Sequence, residues 1–313
     1  MAFITNKPIQ HQLGIASSGG NASPTITLDG VQYQLHIFTG TGNWTVTTAG
    51  YADIFLVAGG GACGSRSPGG AGAGGVVWQR SRYCAAQTYT FTIGAGGASG
   101  SGGGNYAANH GDDSVFAVNG GSTIFTAKGG GQGTHSNPAE RTGGCAGGDS
   151  QNSTGVASAT QRSQAGDSGV YGHGCHGGLA GEDNRSSAGG GGAGHAGDDG
   201  TDFCSAGDGG DGLNMSKIFG QDYGEAGWFA GGGGGGTGND GGTAHHGGKG
   251  GKGGGGNGKG SAEGTSNLVG ESGTTNTGGG AGGGAGGGGG GTHIAGASGG
   301  SGIAIVRYQL SHI

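Results

Sequence analysis

Glycine makes up 94 of the 313 residues, and most of it crowds into 129–302, a stretch that stops abruptly at the apolar run 303–308. That layout constrains the fold more than any other feature. Glycine loses more backbone freedom on folding than any other residue, and it brings no side chain to bury. A glycine-rich tail would be expected to stay disordered. A glycine-rich insert closed at both ends by strand-forming sequence is expected to be ordered, because both ends must return to one sheet. The composition agrees: disordered segments favour Pro, Glu, Lys and Gln, and this chain has four prolines and 10% charged residues.

Before the insert the pattern is that of short strands. Residues 31–38 alternate loosely, 44–46 form a second short strand, and 53–58 are continuously apolar, as in a buried central strand. Residues 75–80 and 88–93 follow, the latter with Tyr89, Phe91 and Ile93 on one face. Residues 114–118 and 123–127 read as a hairpin around Asn119 and Gly120. No helical periodicity intervenes. The fold class is therefore all-β: a small β-sandwich or roll carrying a large inserted glycine-rich bundle. The expected domains are an N-terminal attachment arm over 1–30, a β module over 31–128 completed by 303–313, and the bundle over 129–302. Strand 303–308 is placed beside 53–58, tying the two ends of the insert together.

For the insert, helix is excluded because each interior glycine costs roughly 1 kcal/mol relative to Ala. Collagen is excluded because no G-X-Y register persists. Polyproline-II helices packed side by side remain, with backbone N–H groups bonded to adjacent helices. Runs such as 231–236 and 278–291 would be the rods. Polar stretches such as 149–164 and 261–277 would be loops at rod ends.

These segments resemble the glycine-rich domains of bacteriophage tail-fibre and related virion appendage proteins. The resemblance lies in 38–46 (FTGTGNWTV), 52–61 (ADIFLVAGGG), 72–77, 89–97 (YTFTIGAGG) and 299–308 (GGSGIAIVRY). It implies a β module bearing a bundle of glycine polyproline-II helices, acting as a rigid receptor-binding tip or fibre segment. It carries over no catalytic residues, and its binding residues lie in variable loops. The expected function is host-surface attachment, with rigid decoration of the particle as the alternative. A glycine-rich adhesin of a cell is a remoter one.

Expected partners are other virion proteins through the N-terminal arm, a host surface glycan or outer-membrane protein, and further copies of the chain, as in a trimer. Nucleic acid is not expected, since the net charge is -6 and the one local basic cluster, Lys249, Lys252 and Lys259, is too sparse for an electrostatic footprint. The first twelve residues lack a long apolar segment, so the expected product is made in the host cytoplasm and placed on the virion.

No cofactor is expected, and no enzymatic activity. The glycines after strand 88–93 mimic a dinucleotide-binding turn, but no amphipathic helix follows. His173, Cys175 and His176 carry metal-ligating groups at close spacing, yet two or three neighbours alone do not close a site. Asp198, Asp199 and Asp202 lie among glycines like calcium-loop ligands, without the repeat or loop length of a known calcium motif. The five cysteines are odd in number and widely spaced, and they read as buried thiols rather than a disulfide framework.

One aromatic cluster interrupts the small residues: Phe203, Leu213, Met215, Ile218, Phe219, Tyr223, Trp228 and Phe229. Two readings stand. It is an exposed binding platform, or a small core that plugs the bundle onto the β module. On the first reading the receptor-binding candidates are Tyr223, Phe219 and Trp228, with His245 and His246 as polar neighbours.

Overall fold

The computed structural model describes residues 15–64, 68–99, 108–134, 138–150, 155, 157–181, 186–201, 205–238, 245–260, 268–286 and 296–310. Its strands are β1 (Ala16–Gly19), β2 (Thr25–Leu28), β3 (Val31–Phe38), β4 (Gly42–Thr48), β5 (Gly50–Val57), β6 (Val76–Cys84), β7 (Thr88–Thr92), β8 (Ser114–Val118), β9 (Thr123–Ala127), β10 (Gly172–His173), β11 (Leu213–Asn214), β12 (Trp228–Phe229) and β13 (Ile303–Gln309). The described helices are single turns: α1 (Pro138–Arg141), α2 (Asp167–Val170) and α3 (Ser216–Phe219), with a 3-10 turn at Gln161–Ser163. The chain is mostly β.

Two antiparallel sheets account for most strands. One runs β1-β4-β7-β8-β9, the other β10-β6-β5-β13-β3-β2. In β7 the alternation works as the pleat requires: Tyr89 and Phe91 are buried while the threonines lie outward or half-buried. Both sheets contribute to a common core of Phe38, Trp44, Ile54, Phe91, Phe116 and Phe125. The rings of Phe38 and Phe91 lie 4.5 Å apart, and those of Phe91 and Phe116 4.6 Å apart. β13 lies between β5 and β3, with Ile305 opposite Phe55 and Ile37. That is the central placement the apolar run 303–308 predicts. It follows because Ile303, Ala304, Ile305 and Val306 bury both faces.

The stretch read as an arm over 1–30 differs from the structure in its second half. Ile15 is buried, β1 pairs with β4, and β2 pairs with β3. Serines and threonines occupy the outward positions there, so the sequence looks polar although its backbone completes both sheets. Residues 1–14 of that arm lie outside the described residues.

Beyond the sheets the glycine segments run up and down beside one another, joined by backbone hydrogen bonds. The array is not confined to 129–302. Residues 58–64 follow β5 into it, 68–75 return to β6, and 94–99 and 108–113 join β7 to β8 through it.

The bonding has a definite rhythm. Along 70–75, Gly70 and Ala73 donate to Ala188 and Gly191. Ala71 and Gly74 donate to Ala281 and Gly278, and Gly72 and Gly75 to Gly131 and Lys128, all at 2.8–3.0 Å. The carbonyls accept in the same rotation from Gly61 and Ala58, from Gly148 and Cys145, and from Gly233, with Gly236 continuing the last series at the Pro68 carbonyl. Residues 231–237 repeat the scheme, with every third N–H directed at the same neighbour: Gly231, Gly234 and Thr237 donate to Gly253, Gly256 and Lys259. A β ladder would alternate between two neighbours. Here each interior segment is surrounded.

Close approach explains the composition. A Cβ on Gly233 would sit 1.8 Å from the Ala281 carbonyl oxygen, against backbone that has nowhere to move.

Candidate functional site

The array has two unlike ends. At the near end it meets the sheets through 213–230. The connection through α3 brings β11 against β12, with Leu213 opposite Phe229, and Gly224 and Gly227 adopt positive φ to make the turns. Phe219 and Phe229 then pack on Phe55 of β5, with ring centroids 5.3 and 5.1 Å apart. Arg307 of β13 donates to the Ile218 carbonyl at 2.8 Å and lies over the rings of Tyr33 and Phe219. Of the two readings of the aromatic cluster, the described part takes the second: it seats the array on the β module. Phe203 lies outside the described residues.

Phe219 is 1% exposed and is thereby withdrawn from any receptor surface. Trp228 is half-buried, with the Lys252 ammonium 5.2 Å from its ring centroid. Tyr223 is half-buried against the same cluster, and burial followed by the neighbouring Asp222 carboxylate raises its phenol above the usual range.

The expected neighbours of Tyr223 are elsewhere. Glu225, in the Tyr223 loop, accepts from the N–H groups of Gly253 and Gly254 through Oε2. From there the chain runs back along 231–237, with Gly251 bonded to Gly232 and Gly248 to Gly235. His245 and His246 therefore stand at the opposite end of that segment, roughly 20 Å away at about 3 Å per extended residue. His245 is fully buried and His246 exposed. The patch of Tyr223 with both histidines is not formed, because the sequence carries no signal of which way a glycine rod runs.

The metal candidates also separate. His173 pairs in β10 with Val76 of β6, and burial, with Arg162 nearby, lowers its pKa. His176 Nδ1 receives the Ala159 N–H at 3.2 Å and lies 3.1 Å from the Ala157 carbonyl oxygen. Burial pushes the Cys175 thiol up. Asp199 accepts from the Leu179 N–H at 2.6 Å, while Asp198 uses its backbone carbonyl to bond Gly189. Asp202 and Cys204 lie outside the described residues. Among the described residues no group of three or more His, Cys, Asp or Glu is placed to hold a metal. Asp208 and Asp211 instead accept from the Lys249 and Lys252 N–H groups, tying neighbouring segments together. Cys63, Cys84 and Cys145 are buried free thiols, and burial pushes Cys63 and Cys84 up to about 12.

The far end is built from polar residues. Thr134, Ser150, Ser186, Ser187, Thr237 and His245 are buried there, beside a buried ion pair between Arg141 and Asp149. Arg141 also donates to the Gly155 carbonyl at 2.9 Å. Exposed side chains at this end include His246, Leu179 at 40% exposure and Val269 at 43%. The last two went unnoticed in the sequence. Their only signal is a short aliphatic step, Leu179-Ala180 or Leu268-Val269, within a stretch of glycine and polar residues.

The family model of the glycine-rich domain matches residues 37–309, and the chain belongs to that family. No curated protein matches it.

Proposed function

We propose that this member of the glycine-rich domain family is a non-enzymatic virion appendage protein that attaches to a host surface through the far end of its array. One observation carries the reading. The array is cross-bonded along its length and seated on the sheets at one end, so its other end is held as a rigid platform. Sequence stretches flanked by far-end residues, such as 182–185 and 261–267, are polar and free of long apolar runs. They supply hydrogen-bonding groups of the kind a surface glycan or outer-membrane protein would meet.

Two finer features belong to this reading. The glycine segments are polyproline-II helices, a form with three residues per turn and no internal hydrogen bonds. The threefold rotation of donors along 70–75 and 231–237 supports it. The two sheets form a sandwich, supported by their common core. Ile15 lies beside Gly50 at the start of β5, and the N-terminal arm would serve as the link to other virion proteins.

Cell adsorption tests the function. Leu179→Asp, Val269→Asp and His246→Ala should each fold normally and together reduce adsorption at least about tenfold, whereas Tyr223→Ala at the near end should not. Undiminished adsorption by the triple variant would favour rigid decoration of the particle instead.

A further inference from the structure

On the half of the six-stranded sheet that the array leaves uncovered, a cleft of about 360 Å³ opens among Tyr33, Tyr51, Asp53, Arg80, Ser81 and Arg307. Its volume lies in the range of small-ligand sites. It begins beside α3 and extends away from the array, because Tyr33, Asp53 and Arg307 lie one step past the aromatic contact with Phe55.

The floor is fixed and electrically closed. Arg307 donates through Nε and Nη2 to Asp53 Oδ2, at 3.1 and 2.6 Å, and its remaining Nη1 serves the Ile218 carbonyl. Asp53 Oδ1 accepts from the Ser81 N–H at 2.9 Å. That bond holds Ser81 at φ 49°, a left-handed conformation that a serine adopts only under constraint, beside a register shift between Ala52 and Ile54. Bulges of this kind re-aim side chains next to sites.

The wall and mouth are different. Tyr51 is 49% exposed, and its cross-strand partner Tyr83, packed edge-on at 5.5 Å, is 58% exposed. Two adjacent tyrosines this open are unusual in a chain whose other aromatics are mostly packed away. Arg80 is exposed at the mouth, its guanidinium 5.9 Å from the Trp78 ring centroid, and it has no carboxylate within ion-pair distance among the described residues. The cleft thus offers a flat aromatic wall, phenol and serine hydroxyls, and one cation without a carboxylate partner among the described residues, over a neutralised floor.

We propose that this cleft binds a saccharide unit bearing a carboxylate. The sugar's C–H face would lie on Tyr51, its hydroxyls would meet the tyrosine and serine hydroxyls, and its carboxylate would pair with Arg80. The inference is independent of the far-end attachment reading, since the cleft lies on the β module and not at the end of the array.

Titration of the full-length protein with trigalacturonate, and with maltotriose as the neutral counterpart, tests it. The acid should bind saturably, at least about tenfold tighter than the neutral sugar. Arg80→Gln should abolish that preference while leaving the neutral affinity unchanged. Tyr51→Ala should weaken both sugars, and both variants should still fold and melt cooperatively, with only the small drop in melting temperature expected from losing the Tyr51–Tyr83 ring pair or the Arg80–Trp78 contact. No saturation up to about 10 mM acid, equal affinity for the two sugars, or an Arg80→Gln protein that still prefers the acid would overturn the proposal. Loss of adsorption by the far-end variants with sugar binding intact, or the reverse, separates the two readings.

Discussion

The β module and the glycine array are both buried and both hydrogen-bonded, yet they are specified in opposite ways. In the module, side chains carry the information: Trp44, Phe91 and Phe116 fill a core, and the backbone ladder follows from their alternation. In the array, the information is the absence of side chains. Gly233, Ala281 and Ala71 approach so closely that the carbonyl of one segment occupies the place of a neighbour's Cβ. Apolar burial stabilises the first region. The second has almost nothing apolar to bury, so hydrogen bonding and close dispersion contact must offset glycine's large entropy loss.

The comparison breaks most directly at the element the two regions share. Deleting 303–310 removes β13 from the middle of its sheet. The buried Ile303, Ile305 and Val306 alone contribute about 1.5–3 kcal/mol each, comparable in sum to the stability of a typical domain. The truncated chain should not fold in either region. A soluble, monodisperse truncation with an unchanged melt would show that β13 is dispensable.

Next comes a single methyl group in the array. Gly233→Ala should cost more than the roughly 1–3 kcal/mol of ordinary overpacking, since the obstructing atoms are backbone. A melting temperature within error of the parent would contradict the close packing. In the module's contact with the array, Phe229→Ala should cost about 3–5 kcal/mol and loosen the array before the sheets. A single unchanged transition by both fluorescence and circular dichroism would argue that the seat is not needed.

Acid sharpens the comparison further. Burial lowers the pKa of His36 in the module and His173 beside the array below the usual histidine value of about 6.5. Each group binds fewer protons folded than unfolded, so stability is full above about pH 6.5 and falls as pH drops through that value toward the folded pKa. His36→Gln should flatten part of the slope, and an identical pH profile would remove His36 from the account. The smallest effect is the control: Gly40, at an open turn with nothing near its Cβ direction, should accept Ala within about 0.5 kcal/mol.

Much of the module was legible because apolar alternation is a local signal. Strands 53–58, 88–93 and 303–308 announce themselves, as does the hairpin around Asn119. β1 and β2 were not legible, because Ser17, Ser18, Thr25 and Thr27 carry no apolar mark. In the array, glycine promises close packing but gives no register. Hence 58–64 and 68–75 read as part of the module although they lie inside the array. For the same reason the sequence suggests one patch of Tyr223 and His246 although a whole segment separates them. Segment 268–274, read as loop, instead lies along the array, with Glu271 bonded to Asn257 and Thr274 to Gly254.

The central claim is that the glycine segments form one ordered, mutually bonded body with the sheets. Amide hydrogen exchange resolved to 70–75 and 231–237, compared with β5, tests it most directly. The account predicts protection in both glycine segments comparable to that of Ile54–Val57, lost together in a single opening. Exchange of those glycine amides at free-coil rates, while β5 stays protected, would contradict it.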